Sequence, residues 1–242
     1  FSGVWAGMKT IQEIVESSAT AMIDPERVQI VIPTDFQMPP GGVHIRWPDH
    51  ALEQEARLFD YKWYAALAYI RANRLNHNVI EGPNDRLGLI ASGKAFNDTR
   101  QALLDLGLDT ATCQRLGIRL HKVGVVWPLE AQLTREFATG LQEILVIEEK
   151  GAVVEAQLRT LFYNAPDGQR PAILGKTDAQ GRPLVSAVGE LRPSRLIEIV
   201  AAWLARHAPA LDRHEHVRDF TAPELLSNAG DSVKRLPYFC AG

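Results

Sequence analysis

Short apolar segments alternate with amphipathic segments along residues 78–175, and this alternation restricts the fold more than any other feature of the sequence. The apolar segments have the length and composition of buried strands. They are NVIEG (78–82), LGLIAS (87–92), IRLHKVG (118–124), EILVIEE (143–149) and PAILG (171–175). Strands that alternate with helices pair in parallel and carry helices on both faces. We therefore predict a three-layer α/β/α fold with a mostly parallel (mixed), about five-stranded sheet.

The segments between these strands predict the helices of the same fold. They are predicted over residues 94–107, 109–117, 128–140, 152–162 and 191–207. Gly107 should end the first helix, because glycine is favoured just beyond a helix terminus. Pro128 and Pro193 are each expected in a first helical turn, where proline is tolerated. Gly181 lies in TDAQGRPL, which predicts a hairpin turn.

Changes in composition divide the chain into four predicted parts. The parts are residues 1–36, 37–76, 77–208 and 209–242. The first part combines a helical pattern that starts at Trp5 with a strand over residues 28–33, which is too little to close a core. The second is a proline- and glycine-rich linker followed by a long helix over residues 51–75. The third is the alternating domain, and the fourth has the polar composition of a tether.

The composition argues against several classes of function. A net charge of −3 gives no basic field for nucleic acid or a membrane surface. No apolar run approaches the roughly 18 residues that a membrane-spanning helix needs. Two cysteines in 242 residues fit a reducing cytoplasm better than a disulfide scaffold. The motifs G-x-G-x-x-G, G-x-S-x-G, H-E-x-x-H and the P-loop are all missing, which argues against a self-contained enzyme.

The first strand end with candidate residues is Ser92-Gly93-Lys94, which opens a helix that carries Asn97. Ligands of open parallel sheets bind beyond the carboxyl ends of the strands. Backbone N–H groups, the helix dipole and Lys94 are suited to hold an anion there. The simpler interpretation is a helix cap with a glycine that eases the turn, and we favour it.

Two further strand ends carry candidate residues. The ring of Trp127 is suited to stack on a planar ligand, although an aromatic side chain at such a place more often makes a core or domain contact. Glu148 and Glu149 offer paired carboxylates for acid–base chemistry. Helix capping or an ion pair between domains is the more common role for such residues.

The histidines and cysteines give weaker predictions. His207, His214 and His216 lie in a charged, poorly patterned stretch, which favours a solvated linker over a metal site. Cys113 fits a buried structural thiol. For Cys240 the residues leave two interpretations open: half of a C-x-x-C pair that binds a metal or an iron–sulfur cluster, or a single exposed thiol.

Several of these motifs resemble one family. EIVESSAT (13–20) and DPERVQIVIP (24–33) resemble the end of the pyrimidine-binding domain in fused indolepyruvate ferredoxin oxidoreductases, a family of 2-oxoacid:ferredoxin oxidoreductases. The next domain of that family is similar to the C-terminal domain of transketolases. The segments that resemble it are LGLIASGKAFNDTRQALLDLGL (87–108), GVVWPLE (124–130) and EILVIEEKGAVVEAQL (143–158). LVSAVGELRPSRL (184–196) and RLPYFCAG (235–242) resemble the adjoining stretch of the family pattern, up to the edge of the diphosphate-binding domain.

The resemblance implies a function for the parent protein. Members use thiamine diphosphate with Mg2+ to decarboxylate a 2-oxoacid, pass electrons through iron–sulfur clusters to ferredoxin, and release an acyl-coenzyme A. It implies that residues 1–36 are the tail of the pyrimidine-binding domain and that residues 209–242 lead to the diphosphate-binding domain. Cys240 matches a cluster-ligand position, functional only in the intact parent. The other weak candidates, which match motif positions or lie beside one, are Ser92, Gly93, Lys94, Asn97, Glu148 and Glu149.

We therefore expect an internal, non-catalytic domain that links and positions the flanking cofactor-binding domains of a cytoplasmic homodimer. No cofactor is expected in this chain by itself, and no nucleic acid or membrane is expected as a partner. The alternative is a self-contained flavodoxin-like module that binds a phosphorylated ligand at Ser92-Gly93-Lys94, with Trp127 stacking on it. A third interpretation is a ligand-free interaction module that dimerises through the helices flanking the sheet.

Overall fold

The computed structural model describes residues 1–10, 12–44, 47, 49–208 and 217. Contacts divide the chain into two compact units, Phe1–Asn76 and His77–Gly242, which we call the first and the second unit. No helix in the described part of the chain combines the length and the apolar content needed to cross a bilayer.

One five-stranded sheet forms the centre of the second unit. Its strands are β1 (Asn76–Ile80), β2 (Leu87–Ser92), β3 (Ile118–Val123), β4 (Glu143–Ile147) and β5 (Ala172–Leu174). They lie in the order β1-β3-β2-β4-β5; β2 pairs in parallel with β3 and β4, and β4 pairs in parallel with β5. Leu89 and Ile90 of the central strand point to opposite faces and are both fully buried. The predicted α/β fold with about five strands is confirmed.

Helices cover both faces of this sheet. The α-helices of the described residues are α1 (Gln12–Val15), α2 (Ala51–Arg57) and α3 (Trp63–Ala72) in the first unit, and α4 (Gly93–Asp105), α5 (Thr110–Leu116), α6 (Ala131–Ala138), α7 (Val154–Phe162) and α8 (Pro193–His207) in the second. In β4, Leu145 and Ile147 face the core under α4, α5 and α8, whereas Ile144 and Val146 face the core under α6 and α7. The period of two in a buried strand thus divides its side chains between two separate cores.

A glycine in the middle of β2 allows the helical layer of α6 to pack closely. A Cβ atom on Gly88 would lie 2.6 Å from Leu141 Cδ1 and 2.9 Å from Phe137 Cζ. Phe137 is fully buried, so neither neighbour can move aside without disturbing the core. Only glycine fits at this position without displacement of the packed side chains.

The last helix is held to the start of β4 by one carboxylate. Glu143 Oε1 accepts hydrogen bonds from Trp203 Nε1 at 2.6 Å and Arg206 Nη2 at 2.7 Å, and it lies 3.0 Å from His207 Nε2. Trp203 is only 1 % exposed. The helix begins at Pro193, two residues later than predicted, and the proline lies in its first turn as expected, because proline is favoured where the backbone N–H would have no helical partner.

Some predicted boundaries in the second unit are wrong. α6 begins at Ala131 rather than at Pro128, because the Glu130 carboxylate accepts a hydrogen bond from Leu133 N at 2.6 Å and caps the helix. Pro128 lies outside the helix, after a cis peptide bond. The predicted edge strand NVIEG is present as β1, but it begins two residues earlier, at Asn76.

The predicted elements of residues 1–36 are also wrong. The helical pattern from Trp5 gives only the four-residue α1, and residues 28–33 belong to no strand in the described part of the chain. Trp5 is 95 % and Ile30 is 67 % exposed. A helix this short is marginal in water, and a strand needs a neighbour for its backbone hydrogen bonds.

The first unit is built on one long helix, as predicted, although it ends at Ala72 rather than Leu75. α2 and α3 are continuous through a π-helical turn, Leu58–Lys62. Asn73, just beyond α3, exchanges two hydrogen bonds of 2.8 Å with the backbone of Val31. In the described part of this unit the buried apolar side chains are Val43, Ala65, Ala68 and Ile70.

Candidate functional site

The connections that leave β2 and β4 diverge at the carboxyl edge of the sheet. β2 continues into α4 on one face, and β4 continues into α7 on the other. Neighbouring strands whose connections leave toward opposite faces form a topological switch point, outside which a crevice opens. Ser92 ends β2, and Glu148 directly follows β4. The fold therefore brings the candidate residues of both strands to the same switch point.

The Ser92-Gly93-Lys94 segment forms the start of α4. Ser92 is the extended N-cap residue, with φ of −132°, and its side chain makes no capping hydrogen bond. Gly93 has φ of +54°, a backbone conformation that favours glycine. Apart from immediate chain neighbours and the backbone of the first turn of α4, no described atom lies within 4 Å of the place where a Cβ on Gly93 would stand. The segment thus presents open backbone at a helix N-terminus, with Asn97 exposed further along α4.

Lys94 forms ion pairs with neighbouring carboxylates. Its Nζ lies 2.7 Å from Asp98 Oδ2 and 3.4 Å from Glu190 Oε1. Burial acts to lower the pKa of Lys94, but the hydrogen bonds and charges of Asp98 and Glu190 outweigh it and raise that pKa above its usual range. The ammonium group that was considered as an anion ligand is therefore already neutralised by groups of this chain.

Glu148 caps helix α7. Its Oε2 accepts hydrogen bonds from Val153 N at 3.1 Å and Val154 N at 2.8 Å, and its Oε1 accepts one from Glu155 N at 3.1 Å. Glu148 is buried. A carboxylate that satisfies three free N–H groups at a helix N-terminus stabilises that helix. Both oxygens are therefore used in capping, the more common role for a carboxylate at such a place.

Residues 184–192, which we call the strap, approach the switch point from the segment after β5. The strap begins beside the predicted turn at Gly181, where Asp178 N donates to Arg182 O at 2.9 Å. Its Leu191 N donates to Glu149 Oε2 at 3.0 Å, and its Glu190 pairs with Lys94. The strap therefore contacts the residues that follow β2 and those that follow β4.

Two further lysines bind backbone carbonyl oxygens of this region. Lys150, which has a positive φ of 62°, donates from Nζ to Gly189 O at 2.5 Å. Lys176 donates to Glu148 O and lies 3.5 Å from Ser186 O. Burial lowers the pKa of Lys176, and the charges of Glu148, Glu155 and Glu149 oppose this only in part. The strap is thus contacted by the ammonium groups of three lysines, Lys94, Lys150 and Lys176.

Trp127 lies on a loop that is bonded to α7. The amide of Gln157 fixes its loop: Nε2 donates to Val126 O and Oε1 accepts from Leu129 N, both at 2.8 Å. The ring of Trp127 is 63 % exposed. The loop of Trp127 is thus bonded to α7, whereas Ser92-Gly93-Lys94 opens α4, which packs on the opposite face of the sheet.

The described residues do not fit the metal cofactors that the resemblance implies. No group of three or more His, Cys, Asp or Glu residues suited to a metal ion occurs in the part of the chain that the structure describes. An iron–sulfur cluster needs thiolate ligands. Burial, with a smaller contribution from Asp109, raises the pKa of Cys113 to about 11, so this thiol stays protonated. Cys240, His214 and His216 lie outside the described residues.

Sequence patterns did not predict the roles of Lys150, Lys176, Gln157 and Glu190. Each acts through a partner that is distant in the sequence: Lys150 and Gly189 are 39 residues apart, and Gln157 and Val126 are 31 apart. A signal was present only for the strap, whose residues LVSAVGELR belong to a recognisable motif. Nothing in that motif indicates which edge of the sheet it contacts.

Comparison with known proteins identifies the second unit. The sequence model described as the indolepyruvate ferredoxin oxidoreductase middle domain matches residues 76–208, which is more than half of the chain. The chain belongs to this family. The match contains all five strands, the switch point and the strap, so the middle domain is the part of the chain that carries every candidate residue except His214, His216 and Cys240.

Curated relatives of this middle domain are archaeal. The indolepyruvate oxidoreductase subunit IorA of Thermococcus kodakarensis is 32% identical over 138 residues, which cover 57% of this chain and 19% of the relative. IorA of Pyrococcus horikoshii is 30% identical over 133 residues, covering 54% and 18%. IorA of Methanothermobacter marburgensis is 36% identical over 106 residues, covering 44% and 16%. The chain thus spans less than a fifth of the length of these relatives.

Two solved structures show a distant likeness to the chain. A 2-oxoglutarate:ferredoxin oxidoreductase from Magnetococcus marinus, solved with 2-oxoglutarate, coenzyme A and succinyl-CoA bound, has a TM-score of 0.39 and 15% identity, covering 76% of this chain and 28% of that one. The inactive β4 tetramer of a split-gene transketolase has a TM-score of 0.38 and 14% identity, covering 54% and 41%.

Proposed function

We propose that this chain is an internal, non-catalytic part of a cytoplasmic, thiamine-diphosphate-dependent ferredoxin oxidoreductase of the indolepyruvate type. The parent would oxidatively decarboxylate 2-oxoacids to acyl-coenzyme A with ferredoxin as electron acceptor. The middle domain would link and position the flanking cofactor-binding domains. Membership of the middle-domain family supports the parent enzyme, and the names of the archaeal relatives support its substrate class.

The observation that carries the non-catalytic role is the pairing of charges at the switch point. Glu148 is used as a helix cap, and Lys94 is neutralised by Asp98 and Glu190. A catalytic acid, base or phosphate-binding lysine must be available to a substrate. Here Glu148 and Lys94 have suitable chemistry, but both are bonded to other residues of the same domain. This favours a role in which they keep the domain rigid.

The exposed apolar side chains of residues 1–36 support the linking role. Trp5, Met8, Met22 and Ile23 are each more than 80 % exposed. Exposed apolar groups in such number are typical of a surface that another domain covers. We propose that a flanking domain of the parent covers them, in line with the resemblance of this segment to the end of a pyrimidine-binding domain.

Cofactors enter this proposal only through the parent. Thiamine diphosphate, when bound, supplies a carbanion that attacks the carbonyl of the 2-oxoacid. The residues of the middle domain would hold neighbouring domains at a fixed separation and would keep the strap rigid beside them. Cys240 remains a predicted cluster ligand of the intact parent, together with cysteines that this chain does not supply.

Calorimetry on this chain tests the non-catalytic role. Titration with thiamine diphosphate and Mg2+ should give no heat of binding at micromolar concentrations. Micromolar affinity would overturn the proposal, because it would place a cofactor site within the chain. In the parent enzyme, Lys94→Met should leave the kcat for 2-oxoacid oxidation unchanged, and a large loss of kcat in a folded variant would also contradict it.

One observation keeps a phosphorylated ligand as a second candidate. Gly93 has open space around it at the N-terminus of a 13-residue helix, at the switch point where doubly wound folds hold ligands. Thermal shift with nucleotides, coenzyme A and acyl phosphates tests it. A ligand at 100 times its dissociation constant should add about 2.7 kcal/mol to the free energy of unfolding. No shift with any of these ligands would remove this candidate.

A further inference from the structure

The strap is fixed near both of its ends by buried apolar side chains. Val185 is 1 % and Leu191 is 3 % exposed, and both belong to the core under α4, α5 and α8. Val185 N also donates to Gly175 O at 3.0 Å, just beyond β5. Because movement of either end would expose core side chains to water, both ends are held in place by the hydrophobic effect.

The middle of the strap, residues 186–190, has no such anchor. All five residues are exposed, and the apolar Val188 is 86 % exposed. Among the described residues, no backbone–backbone hydrogen bond joins this middle segment to the sheet or to a helix. Segments with few buried apolar contacts and few backbone bonds open at a much lower free energy than the core beside them. The strap thus combines two fixed ends with a weakly held middle.

Charged side chains from both sides of the switch point hold this middle segment. Glu190 Oε1 lies 3.4 Å from Lys94 Nζ at the start of α4, and Lys150 Nζ, which follows β4, donates to Gly189 O at 2.5 Å. The side chain of Glu190 is 43 % exposed. Contacts between charges that water reaches are weak and are screened by salt. The middle segment therefore bridges the switch point through bonds that are readily exchanged for water.

We propose that residues 186–190 form a lid that controls access to the switch point, with Val185 and Leu191 as its fixed ends. The closed lid, in which the strap is rigid, is the state that the structure shows. In the open state Lys150 loses its acceptor and Lys94 keeps Asp98 alone, at the place where doubly wound folds bind their ligands.

The open and closed states differ in what they offer an anion. The closed lid occupies both ammonium groups with atoms of this chain, whereas the open lid leaves them partly free. An anion that binds only the open state would shift the population toward that state. This regulatory role rests on the second candidate function, a phosphorylated ligand, but opening of the lid is measured without any ligand.

The reactivity of Lys150 distinguishes a lid from a set of separate contacts. If each contact acted independently, loss of the Glu190 carboxylate would affect Lys94 and leave Lys150 bonded to Gly189. If residues 186–190 move as one body, loss of the ion pair at Glu190 also releases Gly189 O from the Lys150 ammonium group. A change at Glu190 should then be detected at a lysine that Glu190 does not contact.

Acylation of the whole chain by an N-hydroxysuccinimide ester, followed by mass spectrometry, measures this reactivity. An amine reacts through its lone pair, so an ammonium group bonded to a carbonyl oxygen is labelled more slowly than a free one. Lys9 is an exposed lysine of the first unit and serves as the internal reference. Glu190→Gln should raise the labelling rate of Lys150 relative to Lys9 by about two- to fivefold, the range set by exposed ion pairs.

A salt series on the wild type is a second measurement that needs no substitution. Between ionic strengths of about 0.01 and about 1 M the Debye length falls from about 30 to about 3 Å. The relative labelling rate of Lys150 should therefore rise with salt, and in Glu190→Gln the rise should be smaller because the ion pair is already absent. A wild-type rate that does not depend on salt would contradict a lid held by charge.

Glu198→Gln is the matched control. Glu198 pairs with Arg195 at 3.6 Å on α8, and its side chain is 47 % exposed, close to that of Glu190. Its replacement should leave the labelling of Lys150 unchanged. The proposal is overturned if Lys150 reacts at the wild-type rate in Glu190→Gln, or if Glu198→Gln accelerates it equally. Neither result would bear on the proposed parent enzyme, because the experiment involves no cofactor and no redox reaction.

Discussion

The two units of the chain place the same residue type in opposite environments. Trp203 in α8 is 1 % exposed and donates a hydrogen bond to Glu143, whereas Trp5 in the first unit is 95 % exposed. Likewise β4 and residues 28–33 are both rich in Ile and Val, but only β4 pairs with neighbouring strands. Burial stabilises apolar side chains, and only the second unit buries them extensively against its own helices and strands.

The difference also separates two kinds of stabilisation. The second unit contains two large apolar cores, one on each face of the sheet. The first unit relies on small buried residues such as Ala65 and Ala68 and on contacts such as the hydrogen bonds between Asn73 and Val31. We therefore expect substitutions to reduce stability strongly in the second unit and weakly in the first.

The largest contrast should come from the two tryptophans. Trp203→Ala should lower the free energy of unfolding by about 3–5 kcal/mol, because it leaves a cavity in a packed core. Trp5→Ala should change it by no more than about 0.5 kcal/mol, since the ring is almost entirely in solvent. Urea unfolding followed by far-UV circular dichroism measures both. Equal losses would mean that the two regions do not differ in packing as described.

A pair of glycines gives the next largest contrast. Gly88→Ala should cost about 1–3 kcal/mol, because the added methyl group collides with Leu141 and Phe137. Gly7→Ala is the matched control in the first unit, where no described atom lies within 4 Å of the new Cβ. Its effect should be close to zero, or slightly stabilising through the unfolded state. If the Gly88→Ala variant melts like the wild type, the side chains packed on β2 can move aside at little cost in stability.

Two helix caps give a smaller contrast. Glu148→Ala should cost about 1–2 kcal/mol, because three backbone N–H groups of α7 lose their acceptor. Glu53, which accepts one hydrogen bond of 3.1 Å from His50 N at the start of α2, is the control. Its replacement by alanine should cost no more than about 0.5 kcal/mol, since the site is exposed. Thermal melting of both variants measures the difference, and a larger loss for Glu53 would reverse the comparison.

The smallest effect should be a loss of protection from hydrogen exchange in the strap at acidic pH. Burial acts to raise the pKa of Glu190, but hydrogen bonds and charges from Arg192 and Lys94 lower it below 4.5. A carboxyl group with a lowered folded-state pKa stabilises the protein above its unfolded-state pKa, and this contribution is lost as the pH falls through the folded-state value. Hydrogen exchange at Val188 N in the strap, whose acceptor is the neutral Ser186 Oγ at 3.0 Å, should therefore accelerate in acid beyond the intrinsic rate change.

The control for this acid effect lies in the first unit. The hydrogen bond from Val31 N is accepted by the neutral amide of Asn73, so its relative protection should not change over the same pH range. Glu190→Gln should remove the additional acid sensitivity of the strap. If the wild-type strap and the Glu190→Gln strap respond alike, then Glu190 does not hold it.

The spacing of apolar residues, together with the residues that bound each apolar run, predicted the helices and strands of the second unit. Buried strands such as LGLIAS and EILVI were identifiable because their apolar runs are bounded by glycine and charged residues. The start of α6 was missed because a Glu130 side chain, rather than Pro128, caps the helix. The strand over residues 28–33 was wrong for a different reason: its local propensity is real, but no neighbour supplies backbone partners.

The candidate site was only partly predictable. The sequence indicated that Ser92 and Glu148 lie at the carboxyl ends of strands, and parallel topology then places both at one edge of the sheet. It did not indicate that the strap contacts this edge, because Glu149 and Leu191 are 42 residues apart and their pairing depends on the folded sheet. Sequence patterns therefore reveal where a strand ends more readily than which loop covers it.

The single carboxylate that holds α8 also provides an intrinsic optical probe. Of the five tryptophans in the chain, Trp5, Trp47 and Trp127 are more than 60 % exposed, whereas Trp203 is buried with its indole N–H bonded to Glu143. An indole shielded from water emits at shorter wavelength than one in solvent. The fifth, Trp63 of α3, is partly buried. In a Trp63→Phe variant, the blue edge of the fluorescence spectrum should therefore follow the docking of α8 selectively, without an added label.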